Sequence, residues 1–454
     1  MTSTVLRVAL PVPLPGLFDY LPPGGKTVAG CRPGQRVLVP FGKGERIGLI
    51  VAIDAQPEVA VERLRPVERV LDTEPLLDAD HLDFLRWTAG YYHHWPGEVV
   101  CSALPLRLRK RPDMLPVAVP GVALAVQPAE ALAQISKRAP RQRELIEALA
   151  ATPEGRMSRD SLTAGSTGAS ATLRRLLEQG CVRLCDMPAT PALYRPRPPG
   201  YGLNEEQTAA IAAVSAALGE FASFLLQGVT GSGKTEVYLQ LVERVLARGE
   251  SAMVLVPEIS LTPQLRQRFV ERLGGEVALL HSALNDSERE RTWQRVRLGL
   301  VRVVLGTRST VLYPVDRLGL VIVDEEHDPS FKQQEGFRYS ARDLAVVRAR
   351  RAGCPVVLGS ATPSFESLHN VATGRYRLLR LNRRAGGASP PDIRLLDVRD
   401  QPLRSGISDP LMKALRDTLA AGEQAMVFLN RRGFAPVLAC YDCGWVSDCP
   451  RCDA

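Results

Sequence analysis

Residues 228–235 read Gly228-Val229-Thr230-Gly231-Ser232-Gly233-Lys234-Thr235, which fits the pattern GxxxxGK[ST]. The run FASFLLQ precedes it and the helix-forming EVYLQLVERVLA follows, the strand-to-helix context a phosphate-binding loop requires. Glycines let successive backbone N–H groups wrap phosphate oxygens at a helix N-terminus, where the dipole favours negative charge. Lys234 would face the β- and γ-phosphates of ATP, and the Thr235 hydroxyl would ligate Mg2+. A flexible glycine turn is the competing reading, and the complete match leaves it little room.

Farther along, Asp324-Glu325-Glu326-His327 follows the apolar run LGLVIV. Asp324 would hold Mg2+, and Glu325 would polarise the water that attacks a γ-phosphate. Taken alone, such a tetrad could equally be a solvated helix N-terminus; downstream of a phosphate loop, the Mg2+ reading prevails. A third cluster is sulfur: Cys440, Cys443, Cys449 and Cys452 form two CxxC pairs. In a cytoplasmic chain this crowding points to Zn2+ rather than to disulfides. Five residues between the pairs are few for one comfortable tetrahedral site. The other five cysteines are scattered and read as buried small apolar residues.

The chain that must position these groups has 454 residues, too many for one ordinary core. Its hydrophobic and charged fractions, 45% and 23%, are those of a globular protein. The formal charge of +8 favours a polyanionic partner without demanding one. No apolar run approaches the ~20 residues of a membrane helix, so no membrane contact is expected. The N-terminal MTSTVLRVALPVP lacks the basic segment and cleavage site of a signal peptide, and the chain is expected to be cytoplasmic.

Residues 1–110 carry short apolar runs punctuated by Pro and Gly, the pattern of a small β-rich domain, with a helical stretch at HLDFLRWTAGYYHHW. Residues 111–195 begin with a Pro-interrupted connector over 111–128. Two helical patterns and the strand-like CVRLC follow, which suggests a winged helix; a generic helical linker domain fits nearly as well. RPRPPG is a linker. Over 196–390, apolar runs alternate with helical stretches, the signature of a doubly wound α/β domain with its parallel strands buried on both faces. Residues 391–437 read as the start of a second such unit, with a strand at QAMVFLN, and 438–454 as the zinc-binding segment.

The remaining signals fall in an order. Gln207, in LNEEQ, precedes the phosphate loop; Val256-Pro-Glu-Ile-Ser260, Gly306-Thr-Arg-Ser309, the acidic tetrad and Gly359-Ser-Ala-Thr-Pro-Ser364 follow it. Each is weak singly. The ordered set is similar to the motifs of superfamily 2 motors, and a P-loop kinase would not explain it. In such motors Gln207 would read adenine, the next two segments would contact strand phosphates, and the last would couple nucleotide state to DNA.

GVTGSGKTEVY, LVPEISLTPQ, GTRS, DEEHDPSFKQQEGFRYSARDLA, GSATPS and FLNRRGFAP together resemble the bacterial replication-restart (primosomal) helicase family, PriA. The resemblance extends to the N-terminus through LPVPLPGLFDYLP and VPFGKGERIG. It implies an ATP-dependent 3′-to-5′ DNA helicase using Mg2+ and Zn2+, which recognises abandoned forks and helps to reload the replicative helicase. Implied partners are forks, 3′ ends and single strands of DNA, other primosome proteins and single-strand-binding protein. Phe18, Asp19, Tyr20 and Gly42 would line a pocket for the 3′-terminal nucleotide, with Arg65 where the family presents a Lys. Phe331, Phe337 and Tyr339 would stack on unpaired bases, with Lys332 and Arg338 holding phosphates; local packing is the other reading of those aromatics.

In the family each CxxC pair is half of a separate zinc site. The completing cysteines, the arginine that completes ATP hydrolysis and the C-terminal domain are expected beyond residue 454. Two rival functions remain at this stage: a fork-binding module that binds nucleotide without turnover, and another superfamily 2 DNA translocase.

Overall fold

The computed structural model describes residues 5–25, 28–53, 56–57, 59–115, 118–136, 139–152, 155–159, 162, 169–188, 202–260, 263–273, 277–384, 392–399, 403–404 and 406–428. Two compact units divide the chain, Met1–Ala388 and Ser389–Ala454. No helix among the described residues is long and apolar enough to cross a membrane.

The first unit opens with a five-stranded antiparallel sheet. Its strands run in the order Phe18–Tyr20, Leu6–Ala9, Gly44–Ile53, Arg36–Phe41, Arg69–Val70. Gly42 opens the two-residue turn that pairs Phe41 with Gly44; its φ of 61° suits a hairpin turn and few side chains. The helix Ala79–Tyr91 then starts at Asp78, whose carboxylate caps the His81 N–H at 2.7 Å.

The segment 111–128 is no simple connector. Ala118–Leu124 is the central strand of a three-stranded antiparallel sheet, flanked by Arg156–Ser158 and Val182–Pro188. Proline usually argues against a central strand. Here Pro120 lies past the end of the shorter neighbour, which pairs only with Gly121–Ala123, so one strand alone runs beside it. Helices Pro128–Gln134, Pro140–Ala150 and Ala169–Glu178 complete this part, around a core that includes Val122, Ile146, Leu149, Leu173 and Leu176.

The last part of the unit is a seven-stranded sheet in which all neighbours are parallel. The order is Val277–Leu280, Val303–Gly306, Ser251–Leu255, Leu318–Asp324, Val356–Ser360, Ser223–Gly228, Arg377–Leu381. The inner strands Val303–Gly306, Ser251–Leu255 and Val356–Ser360 are buried along their length, as helices on both faces require, and the doubly wound α/β expectation holds. Strand order matters more than strand count here. The strands ending at Gly228, Ser360 and Asp324 are consecutive neighbours, so the phosphate loop, the GSATPS segment and the acidic tetrad leave the same edge side by side.

The N-terminal part and the parallel-sheet part share one core, in which Leu82, Leu85 and Leu104 join Trp293, Leu312 and Leu344. Buried polar contacts fix the joint. Trp293 donates from Nε1 to Ala103 O at 2.9 Å. Fully buried Glu290 accepts from Arg107 Nη1 at 2.8 Å and from Leu115 N at 2.7 Å. His81 Nε2 lies 2.9 Å from Leu312 O and its Nδ1 lies 3.0 Å from Arg348 Nη1. A carbonyl and a guanidinium leave no choice of tautomer: Nε2 carries the proton and Nδ1 accepts.

In the second unit, Leu403–Arg404 pairs antiparallel with Ile407–Ser408, and helix Asp409–Ala420 follows. The strand expected at QAMVFLN does not form over its described part, Gln424–Phe428. A strand needs a hydrogen-bonded neighbour, and none of the described residues of this unit supplies one; Met426 and Phe428 are exposed.

His81 makes the joint sensitive to pH. Burial, then the neighbouring Arg348 cation, hold its pKa well below the usual histidine value. The unfolded chain therefore takes up a proton near pH 6.5 that the folded chain refuses. Stability should be constant above that pH and fall as pH drops below it, by up to ~1.4 kcal/mol per pH unit from this one group. Urea unfolding of the parent and of His81→Gln at neutral and mildly acidic pH checks this. The variant should show a smaller acid-induced drop; identical drops would remove His81 from the account.

Candidate nucleotide site and 3′-end pocket

The phosphate loop takes its shape from two left-handed glycines. Gly231 has φ 82° and Gly233 has φ 84°, the latter serving as N-cap of helix Lys234–Ala247. Gly228 is glycine for space: a Cβ there would stand 2.5 Å from Ser232 Oγ and 3.1 Å from Lys234 Cγ. Lys234 folds back so that Nζ donates to Gly228 O at 3.0 Å and sits 3.8 Å from Glu325 Oε1. The Ser232 hydroxyl is buried without a hydrogen-bond partner, an orphan inside the loop. A helix N-terminus, a free buried hydroxyl and a lysine held by one carbonyl and one nearby carboxylate suit a phosphate group. Thr235, next on the helix, is half-buried.

Gln207 has another use in this structure. Its Nε2 donates to Ser232 O at 3.0 Å, and its Oε1 accepts from Asn204 N at 3.0 Å within a capping box. Only 4% exposed, it braces the phosphate loop from behind, and both ends of its amide are engaged.

The three consecutive carboxylates differ sharply. Asp324 Oδ1 accepts from Tyr238 OH at 2.9 Å, and burial, then the Glu325 charge, raise its pKa. Glu325 has φ 48°, rare for a residue with a side chain, and lies between Lys234 and His327, whose Nδ1 is 3.7 Å from Oε2. Glu326 is buried. It accepts from Ser364 N at 2.7 Å, Ser364 Oγ at 3.0 Å, Ser367 Oγ at 2.9 Å and Arg342 Nη1 at 3.2 Å. His327 Nδ1 meets Ser360 Oγ at 2.7 Å. The tetrad is thus tied to GSATPS at two points, through Glu326 and His327. Asp324 and Glu325, with Lys234 and Thr235, are the residues that would hold a nucleotide and its Mg2+.

The expected base-stacking aromatics divide. Phe331 and Tyr339 are core residues, 2% and 5% exposed, so their rings are closed to a base; this corrects the stacking expectation for both. The cause is the closed turn between them: Lys332 bridges Ser340, and Gln333 N donates to Tyr339 O at 2.8 Å. Phe337 is half-buried, 4.7 Å from Tyr339 and 5.2 Å from His94 between ring centres. Lys332 and Arg338 are exposed. Arg308, of the GTRS segment, donates to Ser330 O at 2.8 Å and so anchors this turn.

In the N-terminal part, the five candidates meet. Phe18, Asp19, Tyr20, Gly42 and Arg65, with Arg63, line one open cavity of about 230 Å3. Arg65 is brought there by its carbonyl, which accepts from Leu21 N at 2.9 Å. Tyr20 OH donates to Pro40 O, and burial pushes its pKa up to about 12. Asp19 forms a two-point ion pair with Arg7, at 2.9 and 3.2 Å. Cys440, Cys443, Cys449 and Cys452 lie outside the described residues.

Sequence reasoning missed Tyr238 and Glu326. Tyr238 carries one signal, a hydroxyl within the buried row EVYLQLV. Glu326 carries none, since its partners come from segments that only the fold brings near.

Two family models match the chain: a 3′DNA-binding domain (3′BD) of the PriA type over residues 7–105, and a DEAD/DEAH box helicase over residues 204–371. The chain is 38% identical over 459 residues to Replication restart protein PriA of Haemophilus influenzae, covering 99% of this chain and 61% of the relative. It is 33% identical to that of Bacillus subtilis, covering 96% and 63%, and 35% identical to that of Treponema pallidum, covering 98% and 57%. The chain spans about three fifths of the length of these relatives.

Proposed function

The chain's likeness to the PriA family extends over nearly its whole length, and from it we propose an ATP-dependent DNA helicase of replication restart. The observation that carries the reading is the meeting, at one sheet edge, of Lys234, Asp324 and Glu325 with a segment wired to them through Glu326 and His327. Such an edge binds ligands at the carboxyl ends of parallel strands. With ATP and Mg2+ bound, the metal neutralises phosphate charge. The chain's own residues do the rest: the loop's N–H groups cradle phosphates, Lys234 leaves Gly228 O for them, and Glu325 orients the attacking water. A change in that water or phosphate reaches Ser360–Ser364 through two side chains, which supports coupling of nucleotide state to DNA.

The N-terminal cavity is proposed to take the 3′ end of a leading strand, with Phe18 and Tyr20 as its wall and Arg63 and Arg65 on the phosphate side. Residues 111–195 are proposed to be a winged-helix domain, and the two CxxC pairs to be halves of two zinc sites. Forks and single strands are the proposed substrates; primosome proteins, single-strand-binding protein and the replicative helicase are the proposed partners.

Lys234→Ala should abolish ATP binding in calorimetry, because it removes the cation facing the β- and γ-phosphates. Unchanged affinity would refute the nucleotide site. Fork binding should be tighter with a 3′-hydroxyl than with a 3′-phosphate leading strand, since the phosphate adds charge beside Asp19 and cannot donate to it. Both are compared at one salt concentration, because phosphate contacts make affinity salt-dependent; equal affinities would exclude end recognition. Zinc bound to the 454-residue chain after dialysis, measured by mass spectrometry, should fall below one equivalent. One tightly held equivalent would mean that the two pairs share a single ion.

A further inference from the structure

Tyr238 is a hydroxyl set among apolar neighbours. It lies on helix Lys234–Ala247 between Val237 and Leu239, one turn beyond Lys234, and is 1% exposed. Burying a phenol costs free energy unless its O–H finds a partner. That partner is Asp324 Oδ1, 2.9 Å away, at the end of the strand Leu318–Asp324. The bond crosses from the helix that opens with the phosphate-facing lysine to the carboxylate assigned to the metal.

A second residue is shaped to permit it. The strand Val356–Ser360 lies next to Leu318–Asp324, pairing Gly359 with Asp324. A Cβ at position 359 would stand 1.7 Å from Tyr238 Oη, 2.9 Å from its Cζ and 3.4 Å from Asp324 Oδ1. Gly359 is absent from the positive-φ positions, so its backbone would accept another residue. Glycine also weakens a strand interior. The requirement is therefore for room, and the room is filled by the tyrosine hydroxyl on its way to Asp324. Tyrosine at 238 and glycine at 359 are two halves of one arrangement.

We propose that Tyr238 is a positioning residue of the nucleotide site, its hydroxyl fixing the Asp324 carboxylate in the orientation that receives the Mg2+ accompanying the nucleotide. This rests on the nucleotide-site reading above. Losing a group that orients a metal's ligand commonly costs ten- to a hundredfold in metal affinity or activity. Phenylalanine would fill the same volume without holding the carboxylate.

The test measures binding of a fluorescent ATP analogue to the 454-residue chain across a Mg2+ titration that begins in EDTA. Parent, Tyr238→Phe, Gly359→Ala, Asp324→Asn and Lys234→Ala are compared. Tyr238→Phe should bind nucleotide as the parent does in EDTA, yet need about tenfold more Mg2+ for half of the metal-dependent gain. Gly359→Ala, which displaces the hydroxyl, should shift the profile likewise, and the double variant should be little worse than either, as expected for one shared interaction. A parent-like Mg2+ profile for Tyr238→Phe, alongside a shifted one for Asp324→Asn, overturns the proposal. So does a lowered melting temperature with no change in the profile, which is what packing alone predicts. If Lys234→Ala and Asp324→Asn both bind as the parent does, the nucleotide-site reading itself has failed.

Discussion

Three strand ends, at Gly228, Ser360 and Asp324, lie side by side because their strands are consecutive in a parallel sheet. The candidate nucleotide site depends on that adjacency. Parallel strands emerge from one edge pointing the same way, so three segments far apart in the chain meet without any loop having to reach across the sheet. The middle strand must be slim where it ends. It closes on Gly359 and Ser360, one without a side chain and one with a hydroxyl small enough to accept from Thr362 N while meeting His327.

The same economy of space joins the N-terminal part to the parallel-sheet part. His81 sits on the helix that follows the N-terminal sheet, and its ring bonds to Leu312, the last residue of the turn Arg308–Leu312 within which the GTRS segment ends. Arg308 holds the aromatic turn, and Phe337 from that turn packs between Tyr92 and His94. The contacts thus run in a circuit: N-terminal helix, GTRS turn, aromatic turn, and back to the N-terminal helix. Buried paired groups such as His81 and Arg348 tie its members together and oppose their independent motion. A 3′ end held in the Phe18–Arg65 cavity, as proposed, would then be registered against the parallel-sheet part by packed structure rather than by a hinge.

What the sequence could reveal followed from locality. Strands such as RVLVPF and the phosphate loop are written in adjacent residues, through alternation, glycine conformation and the loop's fixed lysine. What stayed hidden depended on partners. Ala118–Leu124 looked like a connector because Pro120 is forbidden only where a second strand runs alongside, and the length of that neighbour cannot be read locally. Phe331 and Tyr339 looked like stacking residues because an aromatic–cation alternation reads the same whether the rings face solvent or core. Gln207 showed its position before the loop but not that a capping box and Ser232 O would engage its amide. The five cavity residues were grouped by family resemblance; physically their meeting needs the carbonyl of Arg65 to pair with Leu21, a long-range contact with no local signature.

The acidic tetrad shows how one short segment serves three purposes. Neighbouring carboxylates repel, and continuing the strand would put Asp324 and Glu326 on one face and Glu325 on the other. A positive φ at Glu325, held by Glu326 N donating to Gly359 O at 3.0 Å and Asp328 N donating to Glu325 O at 2.9 Å, turns them apart. Asp324 goes to the tyrosine, Glu325 to the lysine, and Glu326 into a pocket of four donors. Left-handed backbone at a residue with a side chain costs roughly 1–2 kcal/mol. Glycine at 325 would adopt that backbone freely but would remove the carboxylate that faces Lys234. The strain is therefore located where the chemistry needs both an unusual backbone direction and a charged side chain, and the buried bonds of Glu326 are what hold it there.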